Sequence, residues 1–292
     1  MSYVKLVLMA VIWSGVFPAL SILLRSMDVF AAVFLRFLSA AVVLLILLRW
    51  REGRLRLPSG RNLGYAIGLG LLGITFYNSL FTAGLARVEA SRAALIVPTN
   101  PAFTALFAAL FLGERLGWVR ATGVVLSVSG ALWVLCRGEP RHFALLEFGI
   151  GELFLVVCVF AWSAYTLISR AALASFSPLA LSAWVTLFGV LPLGLPAGLE
   201  QAALAQVSWQ SWAAMAYLVL FGTVLPNLWY YEGVKALGAA RASQFINLVP
   251  PLAALESVWL LGEPATPALA VGALLVVAGL YLTNRSGSVP AH

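Results

Sequence analysis

Charged side chains are rare in apolar surroundings, and this chain places one of each sign inside long apolar stretches. Arg36 lies in the second stretch and Glu256 in the ninth. Ionisable groups at membrane depth are costly, so each marks a functional position by default. Arg36 has two readings: its guanidinium snorkels along its aliphatic stem to the nearer interface, or it meets an anionic group of a substrate. Glu256 offers proton exchange or contact with a substrate amine, against a structural hydrogen bond to a neighbouring helix.

Polar and aromatic residues concentrate in particular stretches. They are Trp13, Ser14 and Phe17 in the first stretch, Tyr77, Asn78 and Phe81 in the third, and Thr99 and Asn100 in the fourth. Further along stand Trp162, Ser163, Tyr165, Thr166 and Ser169, then Asn227, Trp229, Tyr230, Tyr231, Gln244 and Asn247. Such hydroxyls, amides and rings line a substrate cavity, or else anchor helices at the interface and bond helix to helix. Among Trp229 to Tyr231, anchoring is the better reading for at least one ring. Proline removes a backbone donor and displaces the carbonyl four residues earlier. Pro98 and Pro101 therefore free acceptors at Ala94 and Val97, and Pro250 and Pro251 at Ile246 and Asn247. Freed carbonyls at membrane depth need a protein, water or ligand partner. These prolines are expected as matched hinges flanking the cavity, serving as gates or as static kinks.

Several chemistries are disfavoured. Hydrolysis or group transfer needs a nucleophile with a base, a carboxylate pair or a metal cluster, and the apolar stretches hold none of these. His142 and His292 have no second ligand at metal spacing, and Cys136 and Cys158 offer no disulfide framework. No enzymatic activity, cofactor or metal site is expected. Phosphorylated cargo would need several cations at depth, where only Arg36 stands. Export of organic cations would favour a carboxylate ringed by aromatics, a role open only to Glu256. A largely neutral pathway lined by Trp, Tyr, Phe, Asn, Ser and Gln suits zwitterions, amino acids with aromatic or other bulky side chains among them.

The elements that must position these residues are membrane spans. Of 292 residues 62% are hydrophobic and 10% charged, with a mean hydropathy of +0.98, far from the roughly one-quarter charged residues of a soluble domain. Crossing the bilayer takes about 20 apolar residues. Ten stretches qualify: 4–24, 30–48, 63–85, 93–112, 118–135, 149–168, 179–197, 209–231, 243–261 and 268–282. The first is too long for a signal-peptide core and is expected to remain as a span. Short connections leave no room for a soluble catalytic or nucleic-acid-binding domain. The net charge of +7 follows the same topology: with the N-terminus inside, 12 basic residues fall on the cytoplasmic side and 5 on the other. By the positive-inside rule both termini are cytoplasmic, and no nucleic-acid partner is expected. The partners are a small-molecule substrate and the lipid bilayer. Oligomeric state is not legible, and a monomer suffices to enclose a pathway.

Sliding the sequence by 149 positions aligns its halves without a gap. Trp13-Ser14 falls on Trp162-Ser163, Gly73 on Gly222, Asn78 on Asn227, Gly84 on Gly233 and Arg92 on Arg241. Pro101 then falls on Pro250, Leu112-Gly113-Glu114 on Leu261-Gly262-Glu263, and Gly123 and Gly130 on Gly272 and Gly279. The repeat is not perfect, since Glu256 is matched by Phe107. Residues 1–140 and 141–292 thus read as two five-helix units. An odd number of spans per unit sends the second copy through the membrane in the opposite direction, the inverted-repeat plan of many secondary transporters. The fold expected is an all-α membrane protein of ten transmembrane helices in two inverted five-helix repeats. The small residues of spans five and ten read as packing faces at the bundle edge.

These halves resemble the drug/metabolite transporter superfamily, EamA type. The resemblance rests on Trp-Ser early in the first span, Arg36-Phe37 in the second, and Pro101 followed by Leu112-Gly113-Glu114 in the fourth, with Pro250 and Leu261-Gly262-Glu263 as second copies. It covers essentially the whole chain. It implies a ten-helix transporter of a bacterial inner membrane, commonly an exporter of metabolites or amino acids, and leaves the substrate open.

Overall fold

A computed structural model of the protein describes residues 2–97, 117–135, 138–139, 149–200, 207–226, 229, 245 and 248–285. The described residues are helical, with no strand among them. Four helices are long and apolar enough to cross a membrane: Tyr3–Leu23, Val29–Glu52, Gly60–Leu85 and Pro178–Leu199. Shorter apolar helices cover Ala121–Val134, Ile150–Tyr165, Pro251–Leu261 and Pro267–Gly279. The expected span at 93–112 is described only as far as residue 97, and those at 209–231 and 243–261 only in part.

Local sequence explains where the helices break and stop. Helices α1 (Ser2–Ser14) and α2 (Val16–Leu23) meet at Gly15, because Pro18 has no N–H to offer the carbonyl of Ser14. Helix α3 (Val29–Glu52) ends at Gly53, whose φ of 73° lets its N–H reach the Arg49 carbonyl at 3.1 Å. Helix α4 (Gly60–Leu69) runs through a π-helical stretch, Gly70–Tyr77, into α5 (Asn78–Leu85). Then come α6 (Ala90–Ile96), α7 (Trp118–Leu135) and α8 (Ile150–Ala172). Helix α9 (Pro178–Val190) is capped by Ser177, whose Oγ accepts from Ala180 N at 3.1 Å. It continues through a 3₁₀ turn, Leu191–Leu193, into α10 (Gly194–Leu199). Helix α11 (Trp209–Val219) passes into a second π-helical stretch, Leu220–Val224, and α12 (Val249–Leu261) and α13 (Pro267–Arg285) follow.

Close backbone crossings set the directions of neighbouring helices. Gly130 of α7 lies against Gly272 O and Val276 N of α13, and Gly279 of α13 lies against Gly123 O and Ser127 N of α7. Numbers rise on one helix as they fall on the other, so the two are antiparallel. Shifting both residues of the Gly130–Val276 contact by 149 positions, each into the other half, reproduces the Gly279–Ser127 contact. Any side chain at Gly130 or Gly279 would strike backbone, which is why small residues occupy the seam.

Helices α3 and α9 are antiparallel as well. Ser177 at the start of α9 donates to Glu52 at the end of α3 at 2.5 Å. At the far end, Glu200 beyond α10 accepts from Phe30 N at 3.1 Å and Ala31 N at 2.8 Å at the start of α3. Further contacts join α5 to α8, α2 to α11, and α6 to α12. Inside lies an apolar core that includes Leu20, Leu44, Leu155 and Leu218. Outside, Ile46, Leu255, Leu274 and Trp259 present apolar surface, the last 84% exposed. An exterior this apolar is matched to lipid rather than water, and the protein is a multi-pass membrane protein.

Candidate functional site

The two π-helical stretches occupy equivalent places in the two halves, Gly70–Tyr77 and Leu220–Val224 being offset by about one repeat length. A π turn leaves backbone carbonyls without their usual donors, and such segments recur at functional sites. Side chains answer them here. Asn78 Nδ2 donates to Gly73 O at 2.6 Å, and Thr223 Oγ1 donates to Leu218 O at 3.0 Å. Gly222 O, the repeat equivalent of Gly73 O, accepts from Trp13 Nε1 at 3.3 Å and from Arg36 at 3.5 Å.

Arg36 does not snorkel. It is 6% exposed, and its Nε and one Nη lie 3.3 and 3.2 Å from Thr223 Oγ1. The guanidinium also stands 4.9 Å over the ring of Phe37. No carboxylate pairs with it among the described residues. The interface reading fails because these contacts hold the guanidinium inside the bundle, against the π-helical turn that carries Gly222 and Thr223.

Five of the expected aromatic residues form one contiguous cluster between the halves. Phe17 meets Phe81 edge-on at 5.6 Å, Phe81 stacks with Tyr77 at 6.0 Å, Tyr77 meets Trp162 at 5.1 Å, and Trp162 stacks with Tyr165 at 5.4 Å. Gly73 clears the space that the Tyr165 ring fills. Phe17, Tyr77 and Phe81 are buried against one another, while Trp162 and Tyr165 keep accessible surface. At this level rings of the two halves pack directly on one another.

Glu256 lies on α12 and touches the first span. Its Oε1 is 2.7 Å from Ser14 Oγ, which is also 2.6 Å from Val11 O. Its Oε2 is buried with no hydrogen-bond partner among the described residues. Nearby, the Tyr217 hydroxyl donates to Ile12 O at 2.6 Å, in the turn beside the Gly15 break.

Both ends of the bundle are tied. At one end Glu263 accepts from Ala90 N and Ser91 N, each at 2.8 Å, and Arg92 pairs with Glu152 at 3.0 Å. A carboxylate on two free N–H groups satisfies a helix N-terminus and complements its dipole. At the opposite end a pocket of about 590 Å³ opens between the 54–59 loop and α9, lined by Glu52, Arg54, Arg56 and Trp184 among others. It does not reach the aromatic cluster.

Other expected site residues fall differently. Ser163 is buried and bonds to Val159 O of its own helix at 2.9 Å, and Ser169 is half-buried, farther along α8. Pro250 and Pro251 lie in the first turn of α12, where a missing N–H interrupts no helical bond, so they do not kink the α-helix that contains them. Pro98, Thr99, Asn100, Pro101, Asn227, Tyr230, Gln244 and Asn247 lie outside the described residues. Sequence reasoning missed Thr223, Tyr217 and the carboxylates Glu200 and Glu263. Glu263 had a signal in the repeated Leu-Gly-Glu triplet. Thr223 had none, since its repeat equivalent is Ile74.

Comparisons with known proteins bear on this arrangement. The model of the EamA-like transporter family matches residues 1–136 and again 149–285. A protein of Streptantibioticus cattleyicolor named as a probable terminal-alkyne amino-acid exporter is 30% identical over 280 residues, 96% of this chain and 92% of that protein. The uncharacterized transporter YyaM of Bacillus subtilis is 28% identical over 259 residues, 88% of this chain and 85% of that protein. A solved crystal structure at 21% identity has the same fold, with a TM-score of 0.67 and coverage of 97% of this chain and 96% of that one. The family's members carry solutes across membranes and are not enzymes. Matched twice over nearly its whole length, the chain belongs to the EamA-like transporter family.

Proposed function

We propose that the protein exports neutral amino acids, aromatic or otherwise bulky ones among them, by alternating access between residues 1–140 and 141–292. In this reading each half contributes five spans, the halves cross a bacterial inner membrane in opposite directions, and both termini are cytoplasmic. The antiparallel, repeat-related seam of α7 and α13 supports the opposed halves. The excess of basic residues on one side supports the orientation.

One observation carries the choice of substrate. Arg36 is a buried cation held by neutral oxygens, with no carboxylate answering it among the described residues, beside a run of aromatic rings. A buried charge is expensive until an anion meets it. A substrate carboxylate supplies that anion, the rings receive an apolar or aromatic side chain, and a single cation is too little for a phosphate. The relative named as a probable terminal-alkyne amino-acid exporter supports the same class. The unpaired oxygen of Glu256 favours a second reading, export of organic cations.

Counterflow in proteoliposomes decides between them. Exchange of radiolabelled neutral amino acids by the wild type, lost in Arg36→Gln, is expected. Passage of quaternary amines with no amino-acid exchange would replace this reading by the second.

A further inference from the structure

We infer that Glu256 is the proton-carrying site of the transporter, and that the proton it exchanges is coupled to cargo movement through its contact with Ser14. The coupling rests on the amino-acid reading for its cargo, whereas the proton site itself does not.

Counting protons assigns the donor. Ser14 Oγ has one, and two oxygens lie within hydrogen-bond distance of it, Val11 O at 2.6 Å and Glu256 Oε1 at 2.7 Å. The carbonyl can only accept. Both short contacts are hydrogen bonds when Ser14 donates to Val11 O and the Glu256 carboxyl brings its own proton to donate to Ser14 Oγ. The other carboxyl oxygen agrees with this assignment. Oε2 is buried and unpartnered among the described residues, which a neutral acid tolerates far better than a carboxylate does.

Among the described residues no cation is paired with Glu256. Helix α12 packs against α1, α2, α6 and α13. The titratable groups on these are Tyr3 and Lys5 on α1, Arg92 on α6, and Tyr281 with the terminal Arg285 on α13; α2 has none. Arg92 is paired with Glu152, and Tyr3 packs on Phe245. Tyr217 on α11 directs its hydroxyl to Ile12 O. Among the described residues only Ser14 is hydrogen-bonded to Glu256.

The site also adjoins the Arg36 site. Ser14 follows Trp13, whose indole shares Gly222 O with Arg36. When α1 and α12 part, the acid faces water and its O–H bond breaks, releasing the proton to that compartment. The carboxylate left behind accepts the ammonium of a zwitterion whose own carboxylate meets Arg36. A proton taken from the other compartment then re-forms the acid, frees the ammonium and restores the Ser14 contact. One proton moves inward for each amino acid moved outward, and no redox partner is required.

Infrared spectroscopy of the reconstituted protein tests the proton directly. A protonated-carboxyl C=O band is expected at neutral pH, absent in Glu256→Gln and raised in frequency in Ser14→Ala, where a hydrogen bond is lost. In proteoliposomes, a gradient of about one pH unit supports up to about tenfold accumulation at one proton per substrate. The wild type should approach that value, and Glu256→Gln should lose the gradient response, with counterflow weakened by loss of the ammonium contact. Should Glu256→Gln fail to fold, Glu256→Asp retains an acid and is expected to move both the band and the midpoint of the gradient response. Absence of the band, or gradient-driven accumulation by Glu256→Gln equal to wild type, overturns the inference. A band without any amino-acid counterflow upholds the proton site and removes amino acids as its cargo.

Discussion

Arg36 and Thr223 meet across the two halves of the chain, with one hydroxyl oxygen standing between two guanidinium nitrogens at 3.3 and 3.2 Å. The hydroxyl also donates to Leu218 O within its π-helical turn, so the arginine and the irregular backbone are held together. Lysine has neither the planar fork nor the reach to keep both contacts. Arg36→Lys is expected to raise the concentration for half-maximal counterflow by about tenfold, the equivalent of one charged hydrogen bond. Arg36→Gln should abolish exchange. Unchanged kinetics in Arg36→Lys would mean that the guanidinium is a packing element.

Trp162 links Tyr77 to Tyr165 and keeps accessible surface. Trp162→Ala is expected to weaken aromatic amino acids by about 1 kcal/mol or more relative to alanine, on the scale of one aromatic pair. Competition assays read this directly. Equal loss for small and large substrates would place the ring outside the pathway.

Gly130 has Val276 N and Gly272 O where a β-carbon would go, whereas Gly68 has open space. Gly130→Val should destabilise by about 1 to 3 kcal/mol through overpacking. Gly68→Ala should be neutral or stabilising by about 0.5 to 1 kcal/mol. Thermal denaturation in detergent separates the two, and equal melting temperatures would contradict the close approach of α7 and α13.

Glu263 caps α6 through two backbone amides. Replacing it with Ala should cost about 1 kcal/mol and speed hydrogen exchange at Ala90 and Ser91 specifically. Exchange at those amides as slow as in the wild type would assign the cap to another group.

Ser59 and Ser177 are exposed at one end of the bundle, and Thr266 is exposed at the other. In a cysteine-free background, cysteines at 59 and 177 should react with impermeant thiol reagent only from the cytoplasmic side, and one at 266 only from outside. Reaction of 59 and 177 from opposite sides would break the opposed-halves reading.

Much of this was legible before any coordinates. Apolar stretches of bilayer length announce themselves through composition, since a span must satisfy its backbone internally and cover itself with hydrocarbon. The 149-residue offset disclosed the duplication, because Trp, Asn, Pro and Glu recur at matched positions. Trp13, Ser14, Arg36, Tyr77, Trp162 and Glu256 stood out as polar or aromatic groups at depth, and they do meet. Their partners did not stand out. Hydropathy carries no information on where a helix widens to a π turn, so the exposure of Gly222 O and the placing of Thr223 beneath Arg36 arise only when α3 packs on that turn. Nor could sequence turn Arg36 inward, as the choice between interface and interior depends on the oxygens that Gly222 and Thr223 present to it. Which groups belong near a pathway is a matter of residue type and solvent. Which of them touch is decided by packing, through contacts as far apart in sequence as Ser14 and Glu256.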